Sequence, residues 1–295
     1  MTVYDQINNN RWKTYLIIGL FIIILSGFFY LVGKVYNSPI SFFILGFTFS
    51  LFSSIGSYFY SDKIVILTTG AQPADRKTYF DFYTVAENLA IADGLPKPKI
   101  YVIDDPSPNA FATGRDYNHA VVCATTGLLA MMDRAELEGV IAHELSHIKN
   151  YDILLSTIVA VLVGTLAMAA DIITRTIWWG RGGNRESRNP LFIVLFILSL
   201  FLSSIVATLI QMAISRRREY LADASGALLT RYPEGLARAL EKIKNFSQPL
   251  KRASSSTAHL FISNPFGRQS RSSWLMSLFS THPPIEERIK ILQSM

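Results

Sequence analysis

The chain has 295 residues, of which 50% are hydrophobic and only 17% charged, against about 25% charged in an average soluble domain. That deficit points to lipid. The formal net charge of +6 falls at the ends of apolar runs, at Arg11, Lys13, Lys63 and Arg216 to Arg218, with no nucleic-acid motif beside it, so membrane flanks account for it and no nucleic-acid partner is expected. A lone cysteine, Cys123, excludes an internal disulfide and a cysteine metal cluster, and it fits a reducing compartment.

In chain order, residues 1–14 read as a polar arm. Residues 15–33 hold no charge, and residues 39–60 are rich in Phe and Ser. Each run is near the ~20 residues that cross the hydrocarbon core, and the short turn 34–38 joins them into a hairpin. The first run exceeds the roughly 7–15 apolar residues of a secretion signal. No small-residue cleavage site follows before Lys34, so a permanent anchor is expected. Residues 61–152 read as a soluble segment. It carries a helix over 75–93, a strand over 99–103, a Pro/Asn/Gly turn region and a strand from His119 to Ala124.

The next element carries the chemistry. Asp133 and Glu136 have the form of a capping box. Leu137, Val140, Ile141, Leu145 and Ile148 recur at helical spacing, and no Pro interrupts, so a helix is expected over 133–150. On it stand His143-Glu144-Leu145-Ser146-His147. Residues four apart share a helix face. The two imidazoles therefore suit one zinc ion, and Glu144 suits a general base toward a zinc-activated water. Such a match arises by chance in roughly one chain in a hundred of this length, so it needs a third ligand to become specific.

Two further apolar runs follow, 153–170 and 191–214, the latter with Gln211 as its only strongly polar residue. They read as a second membrane hairpin or as buried core helices. The connection 174–190 carries Arg175, Arg181, Arg185 and Arg188, which sits against the positive-inside tendency if it lies outside the cell. Trp178 and Trp179 suit an interfacial position. Ser215-Arg216-Arg217-Arg218-Glu219-Tyr220-Leu221-Ala222-Asp223 begins where the fourth run ends. Zinc in a hydrolase takes three protein ligands and leaves a fourth position for water. Glu219 and Asp223 share a helix face, so Glu219 suits a ligand and Asp223 a hydrogen-bond acceptor for a ligating His. Spacing alone equally allows both acids to pair with the three Arg. Topology favours the ligand reading: two crossings between His147 and Glu219 return the chain to the same membrane face. A helical run then extends to about Asn245. Residues 251–273, rich in Ser, Arg and Gly, read as a mobile lid or a solvated linker. Ile285 to Leu292 forms a short amphipathic helix.

Taken together, these motifs resemble the HtpX family of bacterial membrane zinc metalloproteases, relatives of the CAAX prenyl proteases. The resemblance runs through Pro108 to Gly114, Thr126 to Leu129, His143 to Asp152, Ser215 to Asp223, His259 to Pro265 and Ser280 to Arg288. It implies an α+β zincin-type domain combined with about four transmembrane helices in two hairpins. It implies one Zn2+ per subunit, held by His143, His147 and Glu219, with Glu144 as base. His282 is expected to approach the cleft and stabilise an oxyanion, and Asp152 to cap or orient the metal helix. The Asn109-Ala110-Phe111-Ala112 stretch is expected near an edge strand that pairs with substrate backbone. The implied activity is endoproteolysis of misfolded or damaged membrane proteins and unfolded polypeptides at the cytoplasmic face of a bacterial inner membrane. The parts are then 1–60, arm and first hairpin; 61–152, first half of the catalytic domain; 153–214, second hairpin; and 215–295, second half of the catalytic domain with the third ligand. Two alternatives stay open. A scaffold with a structural zinc would close four ligands, usually with Cys. A site-specific prenyl-protein processing peptidase would have more spans around a chamber.

Overall fold

The structure, a computed structural model, describes residues 3–35, 37–179, 215–267 and 283–295. The expected fourth apolar run, Arg181, Arg185, Arg188 and His282 lie outside the described residues. Helix α1 spans Val3–Val35 and α2 spans Pro39–Thr69. The polar arm is helical from Val3 and runs unbroken into the first apolar run. Its polar residues are not all solvated: Asn10 and Thr14 are buried. Helix α2 starts with Pro39, whose fixed φ suits a first turn. It presents the buried stripe Ser50, Ser54, Ser57 and Ser61, small residues that let helices approach closely. Both helices are long and apolar enough to cross a membrane. At about 1.5 Å per residue, each exceeds a hydrocarbon core of roughly 30 Å, so α2 carries the chain clear of it.

The soluble elements follow as β1 (Gln72–Pro73), α3 (Phe80–Ala92), β2 (Lys99–Ile103), β3 (Ala110–Thr113), β4 (Val121–Thr125) and α4 (Thr126–Met131). Helix α3 begins later than expected because Asp75 accepts the Thr78 amide and hydroxyl at 2.7 and 2.8 Å, closing a turn first. Strand β4 also begins later, because Asp116 caps a 3-10 turn at Tyr117–His119. The sheet order is β1-β2-β4-β3. Strands β2 and β4 are parallel, with Ile100 opposite Val122. Strand β3 runs antiparallel at the edge, with Phe111 opposite Cys123.

Helix α5 (Arg134–Lys149) packs on the sheet and is followed by α6 (Asp152–Trp179) at a bend of 83°. Helices α7 (Arg216–Thr230) and α8 (Pro233–Asn245) cover the other face of α5, and α9 (Ile285–Gln293) packs on α8 and α7. One core joins Val140, Ile141, Leu145, Leu236, Leu240 and Leu292 with the sheet. A second joins α6 to α1 through Leu155, Ile158, Leu162, Ile17, Phe21 and Leu25. Gly139 is needed here: a Cβ on it would stand 2.6 Å from Leu236 N. Gly139→Val is therefore expected to destabilise the protein by about 1–3 kcal/mol through overpacking. Thermal unfolding in detergent checks this, and an unchanged midpoint would contradict the contact.

Candidate metal centre

The capping box fixes the start of α5. Glu136 N donates to Asp133 at 2.9 Å, and Asp133 N donates back to Glu136 at 2.8 Å. Two turns on, His143 and His147 point at α7. Gly226 of α7 makes the approach: a Cβ there would meet His143 N at 3.0 Å. That closeness brings Glu219 and Asp223, two turns and one turn earlier on α7, beside the imidazoles.

Each ring is held from behind. His143 Nδ1 lies 2.9 Å from Asp223 Oδ1, and His147 Nδ1 lies 3.1 Å from Asp152 Oδ2. Ionised carboxylates only accept, so both Nδ1–H groups donate, and both Nε2 atoms turn inward. They stand 3.2 Å apart. Glu219 completes the cluster, with Oε1 3.6 Å from His147 Nε2 and Oε2 3.8 Å from His143 Nε2. Three electron-rich groups converge on one point. Two nitrogens bound tetrahedrally at about 2.0–2.1 Å from zinc stand ~3.4 Å apart, so the spacing fits that ion. All the ligand atoms of the trio lie within 4.8 Å of one another.

Burial drives the pKa of His143 down to about 4, against the pull of Asp223, with Arg288 and His147 adding to the fall. Burial also opposes charge on His147, but its bond to Asp152 and the nearby Glu219 outweigh this and lift it to about 9. Glu144, fully buried, receives the Ala112 backbone N–H. Burial raises its pKa to about 7, with His147 opposing and Glu219 assisting. A carboxyl poised near neutrality both accepts and returns a proton at working pH.

Arg288 on α9 organises the back of the site. Its Nε and Nη2 clasp Asp223 at 2.8 and 2.7 Å, and its Nη1 donates to the Ile262 carbonyl at 3.2 Å. Burial opposes a charge on Asp223, but the guanidinium holds its pKa down at about 2. The sequence reading missed Arg288 as a site residue. The signal was present: it lies three residues after Ile285 and four before Leu292, on the apolar face of an amphipathic helix. Asp152 is held by Asn10 Nδ2 at 2.7 Å and Arg218 Nη1 at 3.4 Å. No spacing rule links Asn10 to residues 142 positions away. Between α5 and α6, Tyr151 has φ 57°, a left-handed conformation costing about 1–3 kcal/mol for a non-glycine residue. Arg11, 4.5 Å over its ring, and Tyr117, 4.6 Å from it, pack it in place.

The cavity facing the trio holds about 30 Å³ and is lined by Ala112, Glu144, Ser156, Glu219, His259 and Phe261 among others. That is room for one or two waters. His259 Nε2 donates to the Ser156 carbonyl at 2.9 Å. Strand β3 is an edge strand, but its outer side is partly taken: Ile262 N donates to Ala110 O at 2.9 Å. The Asn109 amide brackets Ser263 with bonds of 3.0 and 3.3 Å. Cys123 is buried on β4, and burial raises its thiol pKa well above the usual range, with Glu144 adding.

A site that sets three metal-ligating side chains beside a proton acceptor, in a pocket with room for water, has the means to split peptide bonds with water, and the class it defines is the metallopeptidases. The model of Peptidase family M48 matches residues 81–295. A protease HtpX homolog of Caldanaerobacter subterraneus subsp. tengcongensis is 49% identical, over 100% of this chain and 98% of its own. Those of Thermoanaerobacter pseudethanolicus and Tropheryma whipplei are 46% and 45% identical, over 100% and 99% of this chain and 98% of each relative. The crystal structure of S. mikatae Ste24p has the same fold, with a TM-score of 0.50 and 20% identity over 95% of this chain. This chain spans 66% of that one. The chain belongs to peptidase family M48, among its HtpX proteases, and is a membrane metallopeptidase.

Proposed function

We propose that this protein is a zinc metalloendopeptidase that cleaves misfolded or damaged membrane proteins and unfolded polypeptides at the cytoplasmic face of a bacterial inner membrane. One observation carries the reading. His143, His147 and Glu219 converge at 3.2–3.8 Å while Asp223 and Asp152 hold the two rings from behind. The trio holds one Zn2+ per subunit. Bound there, zinc supplies Lewis acidity, making water nucleophilic at neutral pH and polarising the scissile carbonyl.

The remaining roles belong to this chain. Glu144 takes the proton of the attacking water and returns it to the leaving amine. Asp223 and Asp152 keep both rings in the tautomer that presents Nε2. Arg288 keeps Asp223 ionised. The substrate backbone pairs along Asn109–Ala112, replacing the bond from Ile262 to Ala110. His282 stabilises the oxyanion. The domain is zincin-like, divided as 61–152 and 215–295. Four spans, namely α1, α2, α6 and the 191–214 run, place it at one membrane face.

Purified full-length protein in detergent, stripped by chelator and given zinc, tests this through self-cleavage and cleavage of an unfolded model protein. Cleavage is expected only with zinc; cleavage that persists in chelator would overturn the reading. His143→Ala and His147→Ala are expected to drop zinc content from one per chain to near zero, and Glu219→Ala likewise. Wild-type zinc content in any of them removes that residue from the ligand set.

A further inference from the structure

We propose that Asn10, on the first membrane helix, is a positioning residue of the metal centre, acting through Asp152 on His147. The inference rests on the zinc reading above. Asn10 is 1% exposed although it belongs to a stretch that reads as a polar arm. Its single amide group makes two bonds across the α5–α6 bend: to the Asn150 carbonyl at 2.9 Å and to Asp152 Oδ1 at 2.7 Å. The other oxygen of Asp152 faces His147 Nδ1 at 3.1 Å. The amide therefore fixes the rotation of the carboxylate that sets the ring. Arg218 also reaches Oδ1, but at 3.4 Å, too long for a strong charge-assisted bond.

The neighbouring residue supports the same role. Arg11 caps the Tyr151 ring at 4.5 Å, and Tyr151 holds the positive φ of the bend. Two consecutive residues of α1 thus secure the joint where the metal helix turns into α6. Nothing in the zinc-ligand motif requires this. A soluble domain could carry the trio alone, yet here the orientation of His147 depends on one amide that α1 supplies. The membrane hairpin is then part of the site's scaffold as well as its anchor.

The test measures zinc affinity of the full chain in detergent by competition with a chromogenic chelator. Losing a hydrogen-bond partner behind a metal ligand weakens binding about 10- to 100-fold. That loss is expected for Asn10→Ala, and for the volume-keeping Asn10→Leu, which serves should the alanine variant not accumulate. Phe21→Ala is the packing control. It removes a buried α1 side chain from the α1–α6 core without touching Asp152, and its zinc affinity is expected to match wild type. Adding Asn10→Ala to Asp152→Ala is expected to cost nothing further. Wild-type affinity in both Asn10 variants overturns the inference, as does an equal loss in Phe21→Ala or full additivity with Asp152→Ala. Wild-type protein that binds no zinc would overturn the zinc reading and this inference with it.

Discussion

Glu144→Gln is expected to keep zinc and lose turnover, by about 10²- to 10⁴-fold, the usual contribution of a positioned general base. Glutamine has nearly the same shape, and its carbonyl oxygen still accepts the Ala112 N–H that Glu144 receives. The trio behind it is unchanged. What is lost is a group able to take a proton. Because burial holds Glu144 near pH 7, the wild-type carboxyl exchanges protons with little penalty in either direction, and glutamine has no such option. The loss should therefore appear in kcat, with KM little altered. Zinc analysis and hydrolysis of an unfolded protein, run side by side, check it. Full activity with zinc retained would remove Glu144 from the mechanism.

Arg288→Ala is expected to cost more in stability than any surface change. The guanidinium is 1% exposed and makes a two-point clasp on Asp223, itself 1% exposed. Taking away one partner of a buried pair leaves the other charged and unsolvated, at about 3–5 kcal/mol. Whole proteins are stable by only about 5–15 kcal/mol. The midpoint of thermal unfolding should fall by roughly 6–20 °C. Zinc affinity should weaken with it, because Asp223 no longer holds the His143 ring. Arg288→Lys is expected to fall between, since a point charge cannot reproduce the fork. A midpoint and zinc affinity unchanged in Arg288→Ala would show that the clasp does not support the site.

Legibility followed how local each cause is. Strand β2 appears at the expected residues because its pattern is contiguous. Helix α5 does so because capping box and apolar period both lie within one stretch. Boundaries set by side-chain turns, such as Asp75 before α3 and Asp116 before β4, were displaced, because a short acidic side chain competes with regular structure in ways periodicity does not register. The burial of Asn10 within the polar arm was not legible for a different reason. The Asn10 amide is satisfied by residues more than a hundred positions away, and a polar residue with a distant partner looks in sequence like a solvated one.

The sequence by itself determined the chemistry: a helix carrying two imidazoles and a carboxylate at fixed spacing, and two apolar helices beside it. Those follow from periods of 3.6 residues and from hydrophobicity, which act over neighbouring residues. Only the tertiary structure decided which distant groups complete the site. Gly226 lets α7 come close enough for Glu219 to face the rings. Arg288 arrives from the chain's last helix to hold Asp223, and Asn10 from its first to hold Asp152. Those choices depend on packing between elements, where one missing Cβ or one buried hydrogen bond decides the approach, and no local pattern encodes it.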